Sequence, residues 1–190
     1  MGFRTKLRVP IRIEDIYVPL RAIVDQRIIG DACFADALDA EVKLGRAGDC
    51  GEIALPEAFK QAQDVGRRGI VILGDPGSGK TTHLKRVLLW CVTGGVKEQG
   101  LSSDMLPVFL PLRELTDLGQ GLDAFIQTQL DKPHLNTPTG FGRRLLKRGR
   151  LLFLLDGLDE VADAKQRARV ARWIDEALKV HTTCFFLVTC

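Results

Sequence analysis

The spacing of apolar residues divides the chain near residue 66. Before it, apolar runs at 9–13, 16–20 and 28–29 are short and broken by charges and by Gly30, Gly45, Gly48 and Gly51. Phe34, Leu38 and Val42 recur at helical intervals and predict a helix over 31–44. A second is predicted over 56–63, where Pro56 suits a first helical turn, and residues 45–51 between the two read as a loop.

From Arg67 onward, strands and helices alternate. An apolar, β-branched run at 70–73 leads into a glycine-rich turn. Leu84, Val87, Leu88, Cys91 and Val92 then recur at i, i+3, i+4, i+7 and i+8, the buried stripe of a helix over 81–93 that Gly94 and Gly95 end. A strand is predicted at 106–112, placed toward a sheet edge by Pro107 and Pro111, which lack the N–H that an inner strand needs. Shorter helices follow at 122–130 and 142–147. Residues 151–155, all leucine or phenylalanine, form the most hydrophobic run and predict a central strand buried on both faces. Val170, Ala171, Ile174, Ala177 and Leu178 give one face of a helix over 164–180, and 184–188 a last strand. This alternation predicts an α/β fold, a parallel sheet covered by helices on both faces. Because the chain stops on an apolar strand, it is expected to be part of something longer.

With 190 residues, 45% apolar and 27% charged, the chain has the composition of one folded domain with an accessory segment. The expected division is an N-terminal accessory segment at 1–66 and a core at 67–190. A formal net charge of +3 is too small to imply a nucleic-acid or membrane partner without a local patch. Cys33, Cys50, Cys91, Cys184 and Cys190 are odd in number, widely spaced and without a C-x-x-C pair, which points to a reducing compartment and against zinc. Cys91 and Cys184 lie in apolar runs and read as small buried hydrophobes. The first residues lack a signal core, Lys6 stands where myristoylation requires Ser or Thr, and no run approaches the ~18 apolar residues of a membrane span. A cytoplasmic protein with no membrane partner is expected.

The chemistry begins at Gly74-Asp75-Pro76-Gly77-Ser78-Gly79-Lys80-Thr81-Thr82, which fits the phosphate-loop pattern and lies between a predicted strand and a predicted helix. Glycines let the backbone wrap an anion with inward N–H groups, and the following helix adds its positive end. Lys80 suits the β- and γ-phosphates, and the Thr81 hydroxyl suits Mg²⁺. A nucleoside triphosphate with Mg²⁺ is the expected ligand. Asp156 ends the buried run at 151–155, at the sheet edge where such folds place ligands, and is the candidate Mg²⁺ partner. Asp159 or Glu160, three and four residues on, is a candidate to orient or deprotonate the attacking water. Thr189, at the end of the last strand, is a candidate sensor of the γ-phosphate. No Asn-Lys-x-Asp occurs, so adenine is the expected base, and the nucleotide is ATP or ADP. Arg143, Arg144, Lys147, Arg148 and Arg150 form a basic stretch that reads as a solvated helix face or as a phosphate-binding patch. His83, His134 and His181 have no metal-binding spacing.

The segments GDPGSGKTT (74–82), LPVFLPLREL (106–115) and LLFLLDGLDEV (151–161) together resemble the NACHT domain of STAND-class signalling ATPases, and more closely its bacterial, NLR-like members. Ile16-Tyr17-Val18-Pro19-Leu20 resembles an element upstream of bacterial NACHT phosphate loops. The resemblance implies a three-layer P-loop NTPase of the ASCE/AAA-like kind, cut off after the sensor strand, with the strand at 184–188 between the phosphate-loop strand and the Asp156 strand. It implies an ATP/ADP-driven switch that self-associates on activation, often in immunity or phage defence, with hydrolysis in the full-length protein. It also implies that Tyr17, Val18 and Pro19 approach the adenine. An ATP-dependent DNA-handling or transposition ATPase of similar core, using the basic stretch on phosphates, is the competing expectation.

Overall fold

A computed structural model of the chain describes residues 21–23, 52–64, 66–131 and 135–190. The predicted helix at 31–44 and loop at 45–51 lie outside them. Two short strands, β1 (Arg21–Ile23) and β2 (Glu52–Ala54), pair antiparallel, and helix α1 (Leu55–Asp64) follows directly. The remainder alternates: β3 (Gly69–Ile72), α2 (Lys80–Thr93), a 3₁₀ turn (Gly95–Gln99), β4 (Leu106–Pro111), a second 3₁₀ turn (Leu112–Glu114), α3 (Leu122–Leu130), α4 (Phe141–Arg148), β5 (Leu151–Asp156), α5 (Ala164–Val180) and β6 (Phe185–Thr189). Every helix expected among these residues is present. The pair β1 and β2 was not expected, because three residues are too few to show a period.

The second sheet has the order β3-β6-β5-β4, and each neighbouring pair is parallel. The last strand therefore lies between the phosphate-loop strand and the Asp156 strand, as the resemblance implies. β4 takes the edge beside β5. The Leu106 N–H donates to the Arg150 carbonyl at 2.9 Å, so residues 106, 108 and 110 aim their N–H groups at β5. Pro107 and Pro111 consequently put their missing donors on the open side, where a proline costs no ladder bond.

Strand alternation divides the core into two layers of contact. Leu151, Phe153, Leu155, Phe186 and Val188 face one side, against Leu122, Phe125 and Ile126 of α3 and Val170 and Ile174 of α5. Leu145 and Leu146 of α4 turn inward onto the same cluster. Leu152, Leu154, Phe185 and Leu187 face the other side, against Phe59 of α1 and Leu84 and Val87 of α2. Residues 151–155 are all 0% exposed, which is the two-sided burial that their composition predicts.

The buried stripe of α2 is rotated from the expected one. Lys80, His83, Leu84 and Val87 are buried, Leu88 and Cys91 are half-buried, and Val92 is 71% exposed. At about 100° per residue, Val92 lies roughly 130° from the centre of the face that touches the sheet. An i+8 position belongs to a stripe only when the stripe is centred near it. Cys184 is buried as expected, whereas Cys91 is only partly so.

Helix α1 precedes residue 67 yet belongs to this core. Phe59 is 0% exposed and meets Phe185 of β6 edge-to-face, ring centroids 6.0 Å apart. Phe59→Ala is expected to lower unfolding stability by about 3–5 kcal/mol, measured by denaturant titration. A loss below about 1 kcal/mol would mean that α1 is not part of the cooperative unit.

Candidate functional site

Residues 74–79 connect the end of β3 to the first turn of α2. The loop is tied to the sheet at its base: the Gly74 N–H donates to the Cys190 carbonyl at 3.2 Å, and the Cys190 N–H to the Ile72 carbonyl at 2.9 Å. Gly79 stands at the N-cap of α2 with φ 92°, a conformation that side-chain-bearing residues rarely adopt, and no side chain caps the helix. The first turn of α2 also contains no acidic residue. The positive end of the helix, with its unpaired N–H groups, is therefore not neutralised by the helix's own side chains.

Lys80 is 8% exposed, and its charge is matched locally. Its Nζ donates to the Gly74 carbonyl at 2.5 Å and to the Asp75 carbonyl at 3.1 Å, and lies 3.6 Å from Asp159 Oδ2. One residue on, Thr81 Oγ1 donates to Asp156 Oδ1 at 3.0 Å. The loop and the acidic strand, separated by β6 in the sheet, thus meet through side chains. Thr189 completes the junction. It is 0% exposed, its Oγ1 donates to the same Asp156 Oδ1 at 2.9 Å, and it accepts from the Gly157 N–H at 2.9 Å.

The two carboxylates beyond Asp156 go to different places. Asp159 faces Lys80, and its carbonyl accepts from Arg167 Nη1 of α5 at 3.2 Å. Glu160 pairs with Arg113 Nη1 at 3.0 Å, and both are solvent-exposed. Glu160 folds back over Gly157, where a Cβ would lie 3.0 Å from Glu160 Cδ; the φ of 77° at Gly157 independently calls for glycine. A cleft of about 720 Å³ runs along the outer edge of β4 and reaches Thr81, Asp156 and Glu160 at one end, with Lys85 and Arg113 also in its wall. That volume is in the range of small-molecule sites.

The sequence expectation therefore finds Lys80, Thr81, Asp156, Asp159 and Thr189 in one network, with Glu160 beside it. Arg113, Lys85 and Arg167 were missed. The signal for Arg113 was its place just after a strand, at the carboxyl ends of the strands, where the phosphate loop also lies. The basic stretch is elsewhere. It precedes β5, whereas Asp156 ends that strand, about 17 Å away by strand rise. Within it Arg143 pairs with Asp123 at 3.7 Å, Arg150 with Asp104 at 2.6 Å, and Arg144 donates to the Thr139 carbonyl at 3.0 Å. Tyr17, Val18 and Pro19 lie outside the described residues, as does His134.

A family model of the NACHT domain matches residues 68–190. The chain belongs to the NACHT family. It is accordingly a nucleoside triphosphatase module. No curated protein matches the chain. No helix among the described residues is long and apolar enough to cross a membrane.

One titrating group lies directly behind the loop. His83, 1% exposed on α2, packs edge-to-face on Trp90, and burial lowers its imidazole pKa to about 4. The folded state thus holds it neutral at pH values where the unfolded chain would protonate it. Its contribution is complete above the unfolded pKa of 6.5 and is lost as pH falls toward 4. Between pH 6.5 and 4.5 the wild type should lose about 2–3 kcal/mol more stability than a non-titrating His83→Gln variant, measured by urea unfolding at each pH. Parallel pH profiles for the two proteins would refute the buried neutral histidine.

Proposed function

We propose that this NACHT module binds ATP or ADP with Mg²⁺ and serves as a nucleotide-driven switch. The observation that carries the reading is the 3.0 Å hydrogen bond from Thr81 to Asp156, which joins the phosphate loop to the acidic strand across 75 residues of sequence. In this reading residues 67–190 carry the nucleotide chemistry and 1–66 are accessory to it, α1 serving the core only by packing. Residues Gly74 to Thr82 wrap the phosphates: the Gly74 N–H stays on the Cys190 carbonyl that ties the loop to the sheet, Pro76 has no N–H to give, and Gly77, Gly79 and the first turn of α2 supply backbone donors. Lys80 exchanges its carbonyl partners and Asp159 for β- and γ-phosphate oxygens.

The hard oxygens of Thr81 and Asp156 suit Mg²⁺, which takes few protein ligands and keeps water and phosphate oxygens as the rest. No group of three His, Cys, Asp or Glu lies together among the described residues, so a closed all-protein cage is not the alternative there. When bound, Mg²⁺ neutralises charge on the β- and γ-phosphates. Asp159 or Glu160 orients the attacking water and takes its proton. The water oxygen bonds to the γ-phosphorus as the bridge to the β-phosphate breaks, and ADP leaves with the bridging oxygen. Loss of the γ-phosphate removes a partner of Lys80, and the surrounding segment is bonded directly to the sheet, Gly74 to Cys190 and Thr81 to Asp156. That coupling supports a switch whose two states are ATP- and ADP-bound. The likeness to bacterial NLR-like members supports a cytoplasmic protein that self-associates on activation, in immune or phage defence.

Calorimetric titration with ATP, ADP and GTP tests the binding reading. Adenine nucleotides are expected to bind more tightly than GTP, and Lys80→Ala is expected to abolish binding; normal affinity in that variant would sink the proposal. For turnover, Asp159→Asn combined with Glu160→Gln is expected to retain ATP that the wild type converts to ADP, read by chromatography of the bound nucleotide. Equal conversion in both proteins would place water activation elsewhere.

A further inference from the structure

The position of Thr189 suits a role different from that of a phosphate sensor. It ends β6, the strand inserted between the phosphate-loop strand and the Asp156 strand, and it is 0% exposed. A hydroxyl has one proton to donate. Thr189 commits that proton to Asp156 Oδ1 at 2.9 Å while its oxygen accepts from the Gly157 N–H, also at 2.9 Å. Its carbonyl accepts from the Leu158 N–H at 2.8 Å, so one residue fixes the carboxylate and the two residues after it. A donor spent on Asp156 is not available to a γ-phosphate, and a fully buried side chain does not reach one.

We propose that Thr189 is a positioning residue for the divalent cation, acting through Asp156 and not touching the triphosphate. The inference rests on the nucleotide and Mg²⁺ reading above. Both hydroxyl donors, Thr81 and Thr189, fall on the same oxygen, Oδ1. This sets the carboxylate's rotation and leaves Oδ2 for the hydrated cation. With its own proton on Asp156, Thr81 turns its oxygen lone pairs away from the carboxylate and toward the cation. Gly157 contributes to the same device: its positive φ lets the chain turn so that its N–H reaches Thr189 directly after Asp156. Hydrogen-bond partners that orient metal ligands in this way typically change metal affinity by about 10–100-fold when removed.

The test measures binding, not turnover, on the full chain. A fluorescent ATP analogue is titrated at a series of free Mg²⁺ concentrations and in EDTA. Thr189→Val, which keeps volume and strand propensity but removes the hydroxyl, is expected to raise the Mg²⁺ concentration for half-maximal tight binding by about 10–100-fold. Its affinity in EDTA should stay within about twofold of wild type, and Thr189→Ser should restore the Mg²⁺ requirement. Should Thr189→Val fail to fold, Thr189→Cys, with a weak S–H donor, is expected to show the same defect relative to Thr189→Ser.

An unchanged Mg²⁺ requirement in the variant that lacks the hydroxyl would overturn the positioning role. So would an equal loss of affinity with Mg²⁺ and with EDTA, which is the signature of direct phosphate contact. A wild type that binds no ATP, or binds it without regard to Mg²⁺, would instead defeat the reading of the site on which the inference rests.

Discussion

The carboxylate of Asp156 joins three elements that the chain order keeps apart. It ends β5, accepts a hydroxyl from the first turn of α2 and accepts a second from the end of β6. Because β6 lies between β3 and β5, the loop and the acidic strand are two strand spacings apart, roughly 10 Å. A direct backbone contact between them is not available. Side chains from either direction close the gap.

The closure is firm because of what lies under it. Residues 151–155 and 185–188 are buried on both faces and send alternate side chains into two separate hydrophobic clusters. Phe153 and Phe186 stack within one of them, ring centroids 4.8 Å apart. With the sheet packed from both sides, its strand tips cannot shift relative to one another without opening a core. The polar residues at those tips, Asp156 and Thr189, inherit that rigidity. The loop at 74–79 gains it only at its base, through the Gly74 bond to Cys190.

Charge at the site is arranged with similar economy. Lys80, buried, is surrounded by two loop carbonyls and Asp159, a set of partners that phosphate oxygens are able to replace. Glu160 is held by an exposed arginine, an interaction of small net strength in water. The adjacent carboxylates thus have different partners: Asp159 a buried cation, and Glu160 an exposed one just beyond the neighbouring strand.

Much of this was legible in the residues. The loop pattern between a strand and a helix, the leucine run ending in Asp156, and the prolines that mark β4 as an edge are all local signals. They depend on residues within a few positions of each other, and local sterics and periodicity determine them. The rotation of α2 that exposes Val92 was not legible, because its stripe is chosen by where the sheet lies. Nor was the inclusion of Phe59 in the main core, which requires α1 to pack on β6. The pairing of Arg113 with Glu160 spans 47 residues, and that of Thr189 with Asp156 spans 33. By itself, then, the sequence determined that a phosphate-binding loop and a strand-end aspartate exist. The tertiary structure decided that Thr189 sits buried between them with its proton on Asp156, because strand order is settled by packing over the whole sheet and not by any short stretch of chain.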